Sequence, residues 1–393
     1  MIYASDILLQ FEKAIIKRNF AKKLPGYIMA LKCGIIGLAN VGKTTLFNCM
    51  SSTKGETSNY AFSSSKSNIG VIDVPDPRLK QLEKCQQTER LVPATVEIVD
   101  IPGLTKGSNK GEGVGNKFLG DIRNTDALIH VLRCFDDEEL PHIDGSVDPV
   151  RDIETLDFEL QVKDLESVEK KLQRMEKAAK VGDKEAKKAV EVLTYVKSEL
   201  ENFVNLRDIN LDEEGKKQID DLFLLTIKPV LYVCNVDDAS AINGNSHVEK
   251  VKNILENKNS EVLVIAGRLE AEIAELEDED DRKVFLEDAG LSEPGVNKLV
   301  RSAYGMLNLI SFFTVGPKEI KAWTIRKGMN AQQASGAIHS DLERGFIRAE
   351  VMKYNDFIEY GSEHKVKEAG KFHVEGKTYT VEDGDILHIR FNV

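Results

Sequence analysis

The sequence predicts an α/β fold: a mainly parallel sheet with flanking helices, interrupted by an antiparallel helical hairpin and followed by a small α+β domain. Three observations carry this. An apolar strand, Leu31 to Ile36, runs straight into a glycine-rich turn and a helix. Between Leu156 and Leu206, apolar residues recur at spacings of three and four. From Ile310 the texture changes to short strands and polar turns.

The bulk properties set limits. At 393 residues the chain is long enough for two or three domains. Apolar residues make up 41% and charged residues 30%, the balance of a soluble globular protein. The formal net charge of -12 argues against a surface wholly built for nucleic acid, while leaving room for a local basic patch. The five cysteines (Cys33, Cys49, Cys85, Cys134, Cys234) contain no C-x-x-C and read as reduced thiols in a cytoplasmic protein. No apolar run reaches membrane-spanning length, so no membrane partner is expected. Residues 1–28 combine a short amphipathic stretch, Leu8 to Phe20, with Lys22, Lys23 and Pro25-Gly26. They lack a signal-peptide core and are expected to be an appended leader, with Met29 beginning the folded domain.

The first strand leads into Gly37-Leu38-Ala39-Asn40-Val41-Gly42-Lys43-Thr44, the pattern G-x-x-x-x-G-K-[ST], and then into a helix. Each position has a task. The glycines let backbone N–H groups turn inward around phosphates. Lys43 brings a point charge to the outer phosphates, and the Thr44 hydroxyl binds magnesium. The helix N-terminus adds its dipole. Asn40, Val41, Gly42, Lys43, Thr44 and Thr45 are therefore candidate contacts to the phosphate tail of ATP or GTP. Lys43 is also a candidate catalytic residue.

A buried strand, Val96 to Val99, ends at Asp100-Ile101-Pro102-Gly103. Asp100 stands where a magnesium-associated carboxylate belongs, and the Gly103 N–H where the terminal phosphate is sensed. Gly107, Gly111, Gly113 and Gly115 follow closely and suggest a switch loop. Leu104 occupies the place of the glutamine that orients the attacking water in familiar GTPases. Leucine cannot do this, so catalysis is slow or another group positions the water.

A third strand, Pro229 to Cys234, ends at Asn235-Val236-Asp237-Asp238. GTPases place Asn-Lys-x-Asp here. Val236 removes the lysine stem that covers guanine, while Asp238 retains an acid able to accept two hydrogen bonds from it. The last strand, Val262 to Ile265, ends at Ala266-Gly267, where a backbone amide can meet the base.

The helical insertion follows from Leu165, Val168, Leu172 and Met175, and from Leu193, Val196, Leu200 and Phe203, with Gly182-Asp183 as the turn. Its charged outer face is either solvated or a contact surface. The expected domains are the leader 1–28, a nucleotide domain of 29–150 and 222–309, the helical insertion 151–221, and the C-terminal domain 310–393.

The chain resembles the YchF subfamily of Obg-like P-loop ATPases from Met29 to Val393. The resemblance rests on Cys33-Gly34-Ile35-Ile36-Gly37-Leu38, Val74-Pro75-Asp76-Pro77-Arg78-Leu79, Lys110 to Leu119, His130-Val131-Leu132-Arg133-Cys134-Phe135, Gly145-Ser146-Val147-Asp148-Pro149 and Leu387 to Val393. It implies a ubiquitin-like TGS domain at the C-terminus and slow magnesium-dependent hydrolysis of ATP. It also implies the ribosome and ribosomal RNA as partners, in a cytoplasmic protein expected to be a monomer. The family reads the base with Asn-x-x-Glu, and this chain has Asp238 instead. In switch I the family has Asn-Tyr-Pro-Phe-x-Thr. Here Asn59-Tyr60-Ala61-Phe62-Ser63-Ser64 stands, so Ser64 takes the place of the magnesium-binding threonine and the missing proline loosens the loop. The resemblance further implies that His142 orients the attacking water and that Asn40 helps hold a potassium ion. Two other readings stay open: a GTPase of the same fold, and a nucleotide-gated RNA- or ribosome-binding module whose hydrolysis is incidental.

Overall fold

The computed structural model describes residues 31–52, 68–102, 114–256, 258 and 260–392. Residues 1–28, Ser64, Gly103, Leu104 and the glycines from Gly107 to Gly113 lie outside the described residues, as do the expectations placed on them. Strands β1 to β12 are, in order, Lys32–Ile36, Asn68–Asp73, Leu91–Val92, Thr95–Asp100, Ala127–Arg133, Val230–Asn235, Val262–Ile265, Leu309–Val315, Ile320–Arg326, Phe346–Met352, His373–Glu375 and Ile386–Phe391.

The chain divides into two compact units: Lys32–Asp73 with Val96–Leu307, and Val74–Thr95 with Asn308–Val393. The expected nucleotide domain ran unbroken from residue 29 to 150. The structure instead assigns Val74–Thr95 to the C-terminal unit, for reasons visible in its contacts. β3 pairs in parallel with β9 through Leu91↔Ile320 and Val92↔Lys321. Arg78, on the helix Pro77–Cys85, bonds Asp383 at 2.8 Å and lies 5.0 Å from the centroid of the Phe313 ring.

In the larger unit the sheet order is β2-β4-β1-β5-β6-β7. The pairs β1–β4, β1–β5, β5–β6 and β6–β7 are parallel. Every residue of β5 and β6 is buried, as expected of parallel strands covered on both faces. The chain crosses to either side of β1, so the loops at its carboxyl end open at a topological switch point. Registers Ile35↔Asp100 and Arg133↔Asn235 bring the ends of β4, β1, β5 and β6 to one edge.

The helix Pro149–Lys180 has 32 residues, roughly 48 Å of length. Asp148 caps it by accepting from the N–H groups of Val150 and Arg151, with Pro149 in its first turn. The sequence pattern placed its start near Leu156, yet its first turns are rooted in the unit. Ile153, Leu156 and Leu160 are buried, and fully buried Asp164 accepts from the Leu225 and Thr226 N–H groups and the Thr226 hydroxyl. Gly182, at φ 97°, turns the chain, and Asp183 caps the helix Lys184–Glu201. Val168 and Leu172 share a core with Leu193, Val196, Leu200, Leu206, Ile219 and Leu224. No described helix is long and apolar enough to cross a membrane.

In the smaller unit the sheet order is β11-β10-β12-β8-β9-β3. The helix Ala331–Ile338 covers it, with Ala331 and Ala334 packed among Phe312, Ile325, Ala349 and Leu387. Buried Asp385 accepts from Lys353 Nζ at 2.8 Å, the Tyr379 hydroxyl at 2.7 Å and the Glu382 N–H at 2.9 Å.

Candidate functional site

A cavity of about 870 Å³ opens at the carboxyl edge of the larger sheet. One wall is Asn40, Val41, Gly42, Lys43, Thr44 and Thr45. Another is Asn235, Val236, Asp237, Asp238, Gly267 and Arg268. The structure thus brings together the two motifs that the sequence placed nearly two hundred residues apart.

The phosphate-loop geometry depends on particular residues. Gly37 and Gly42 hold φ 146° and 96°, and Asn40 holds 62°. A Cβ on Gly37 would strike the Val131 carbonyl, and one on Gly42 would strike the Asn235 amide. Glycine meets both demands: positive φ and close approach. Lys43 begins the helix Lys43–Ser52, and its ammonium donates to the Leu38 carbonyl at 2.5 Å. Burial lowers its pKa to about 8, against an opposing pull from Asp100. The Thr44 hydroxyl donates to Asp100 Oδ2 at 3.1 Å. Burial raises the Asp100 pKa, and the Thr44 hydroxyl and Lys43 hold it down.

Asn235 is placed differently from a free base reader. Its Nδ2 donates to the Val41 carbonyl at 2.9 Å, and its Oδ1 accepts from the Gly267 N–H at 2.8 Å. One side chain therefore clamps the phosphate loop to the start of the helix Gly267–Glu275. The same bond occupies the Gly267 amide that the sequence offered to the base. Val236 is buried, with its N–H on the Ile265 carbonyl. Asp237 caps a short helical turn by accepting from Ser240, and Asp238 stands exposed on the cavity wall.

The sequence reading missed a third wall: Phe135, Asp136, Asp137, Glu139 and Leu140. These residues follow β5, and in parallel sheets the loops after the strands line the ligand crevice, which is the signal that was available. Buried Arg133 splints this wall. Its guanidinium donates to the carbonyls of Phe135 at 3.1 Å, Leu140 at 2.6 Å and Asp137 at 3.3 Å.

His142 is not brought to the cavity lining. It is buried where this loop meets the long helix. Its Nε2 lies 3.0 Å from Asp152 Oδ2, and its Nδ1 accepts from the Asp144 N–H at 3.1 Å. A ring accepting at Nδ1 carries its proton on Nε2 and donates to Asp152. In this arrangement neither nitrogen is open to a water. Arg151 adds contacts to Asp152 and to the Ser146 carbonyl.

A family model described as a 50S ribosome-binding GTPase matches residues 32–194. A model for the YchF-GTPase C-terminal region, described as a protein of unknown function, matches residues 309–392. Among curated proteins, the ribosome-binding ATPase YchF of Haemophilus influenzae is 46% identical over 93% of this chain and all of its own length. That of Bacillus subtilis is 46% identical with the same coverage. The solved structure of the Schizosaccharomyces pombe YchF GTPase superposes with a TM-score of 0.83 at 34% identity, covering 93% of this chain and 100% of that one. The P-loop fold, the full-length identity and the matched C-terminal region agree, and the chain belongs to the YchF family.

Proposed function

We propose that this protein hydrolyses ATP to ADP and phosphate, slowly and with magnesium, and uses the nucleotide to switch its hold on the ribosome. The observation that carries the reading is the continuity of one cavity from Lys43 and Thr44 to the Asn235–Asp238 strand end. The donor set fits magnesium: the Thr44 hydroxyl and the Asp100 carboxylate converge at 3.1 Å, beside the helix N-terminus that receives phosphate. Ser64 is the third residue assigned to the ion. Magnesium neutralises charge that develops on the outer phosphates. Lys43 exchanges its Leu38 carbonyl for a phosphate oxygen and remains charged there. Asn40, exposed on the cavity wall, is assigned to a potassium ion that supplies further positive charge.

ATP is favoured over GTP because Val236 brings no cation over the base, and because the curated relatives are named ATPases at 46% identity. Asp238 supports the GTPase reading, since an aspartate at this place can accept two hydrogen bonds from guanine. The ribosome comes from the names of the same relatives. The paired helices from Pro149 to Glu201 are read as an inserted coiled-coil arm, and the C-terminal unit as a TGS domain. The protein is read as a cytoplasmic monomer.

Phosphate release from ATP tests the reading. Magnesium-dependent turnover by the purified chain, abolished in Lys43→Met, is the expected result. Turnover that survives Lys43→Met or ignores chelation of magnesium would remove the site from the reaction.

A further inference from the structure

Phe158 and Phe203 are 48% and 67% exposed, and their ring centroids lie 6.0 Å apart. Neither ring belongs to the hydrophobic core shared by the two long helices. Phe203 reaches this place at a conformational cost. It follows the helix Lys184–Glu201 at φ 58°. The Val204 N–H bonds the Glu199 carbonyl at 3.0 Å and the Phe203 N–H bonds the Leu200 carbonyl at 3.1 Å, which is the Schellman closure of a helix. That closure favours glycine, because a Cβ resists the left-handed region. Gln161 Nε2, on the long helix, donates to the Phe203 carbonyl at 3.1 Å and fixes the turn. Phe223 shares the positive φ and the exposure, but among the described residues no ring packs against it, and Asp221 beside it is paired with Lys171.

The surroundings of the pair are acidic. Within four residues of either ring the chain has Glu154, Asp157, Glu159, Glu199 and Glu201 against one cation, Arg207, and that guanidinium is bound to Asp157 at 2.7 Å. Glu154 lies one helical turn before Phe158, on the same face. Glu201 meets Lys197 at 3.5 Å, and that lysine lies closer to Glu169, at 2.8 Å. Among the described residues, Glu154 and Glu199 have no ion-pair partner. Exposed aromatic surface and uncompensated negative charge thus coincide on one side of the helical pair.

We propose that the Phe158–Phe203 pair docks a basic peptide segment with an apolar anchor, supplied by a partner protein. The rings receive the anchor, since aromatic side chains carry much of the energy at interfaces. The carboxylates receive lysine or arginine heads, which also sit favourably over ring faces. The same carboxylates repel polyanions, so nucleic acid is not the occupant. A second copy of the chain is not the occupant either. A twofold contact would set the same acids against one another. The two rings also expose roughly 200 Å², well below the ~800 Å² per partner of a stable dimer.

The test is fluorescence anisotropy of a labelled helical peptide of lysine, leucine and one tryptophan, titrated with the full chain, beside a peptide in which glutamate replaces every lysine. The wild type is expected to bind the basic peptide at micromolar concentration, more weakly as salt rises, and to ignore the acidic one. Phe158→Ser combined with Phe203→Gly is expected to weaken the basic peptide by about tenfold or more, with ATP turnover unchanged. Glu154→Gln combined with Glu201→Gln is expected to weaken it about threefold and to flatten the salt dependence. The control, Asp280→Asn, Asp281→Asn and Asp288→Asn, neutralises exposed acids on another helix and is expected to retain binding. Phe203→Gly alone separates docking from folding: it should weaken the peptide and leave the melting temperature within about 2 °C. No binding by the wild type, unchanged binding by the ring variant or equal loss in the control overturns the proposal. A melting temperature lowered by more than about 5 °C in Phe203→Gly assigns the ring to the fold and also overturns it. Concentration-dependent dimerisation of the wild type, abolished in the ring variant, overturns the partner protein in favour of a second copy.

Discussion

The two ends of the cavity are built on different principles. At the phosphate end, function is carried by backbone shape: Gly37 and Gly42 are held where a side chain would collide, and Lys43 and Thr44 follow at fixed spacing. At the base end, the motif asparagine is spent on architecture. Asn235 holds the Val41 carbonyl and the Gly267 amide, and the exposed side chains on this wall include Asp238 and Arg268, to which we assign the choice of base. The contrast separates affinity from selectivity. On the proposed reading, phosphates are held by a shape that tolerates no change, and the base is chosen by residues that change at little structural cost.

The largest effect expected is at Lys43. Lys43→Met should weaken ATP binding at least a hundredfold by titration calorimetry, and it should also stabilise the nucleotide-free protein. The folded-state pKa of about 8 lies below the ordinary 10.5, so the unfolded chain holds the proton more tightly. The cost, on the order of 3 kcal/mol, is fully present below pH 8 and is relieved as pH rises from 8 towards 10.5. Wild-type stability should therefore climb across that window and the variant's should not, while ATP affinity of the wild type falls above pH 8. A flat stability profile in both proteins would contradict the buried ammonium.

Asn235→Ala comes next. It strands a buried N–H and a buried carbonyl, which costs about 1–3 kcal/mol each at most. Because the clamp serves the whole cavity, ATP and GTP should both weaken, by roughly tenfold. A loss confined to one base would make Asn235 a base reader and break the contrast.

Much of this was legible in the sequence, and the limits are instructive. The phosphate-loop pattern, the strand that ends at Asp100 and the succession of apolar strands follow from local patterns; the order of the strands in the sheet does not. The place of Val74–Thr95 was not legible. It depends on Arg78 meeting Asp383 about three hundred residues later, and on a two-residue strand too short to show a period. The wall from Phe135 to Leu140 was hidden for a related reason, since it is shaped by carbonyls bonded to Arg133. His142 shows a limit of roles carried over by resemblance. The resemblance gave this imidazole a water to orient, and only packing reveals Asp152 and the Asp144 N–H on its two nitrogens.

His142→Ala therefore sharpens the account away from both ends. It should cost about 1–3 kcal/mol of stability by leaving Oδ2 of buried Asp152 without its donor, while Arg151 stays on Oδ1, with kcat at saturating ATP changed less than about threefold. A fall of two orders of magnitude in kcat with unchanged stability would return the histidine to the chemistry.

The smallest effect expected is at Asp238. The residue is exposed, so Asp238→Glu should leave the melting temperature within about a degree, since surface substitutions shift stability little. It lengthens the acid to the family's usual residue and should raise the ATP-to-GTP affinity ratio by roughly three- to tenfold.

Equilibrium competition between ATP and GTP for the wild-type chain, with magnesium and a single fluorescent nucleotide as reporter, tests the central claim most directly. The account predicts that ATP displaces the reporter at the lower concentration. Tighter binding of GTP would contradict it and assign Asp238 to guanine.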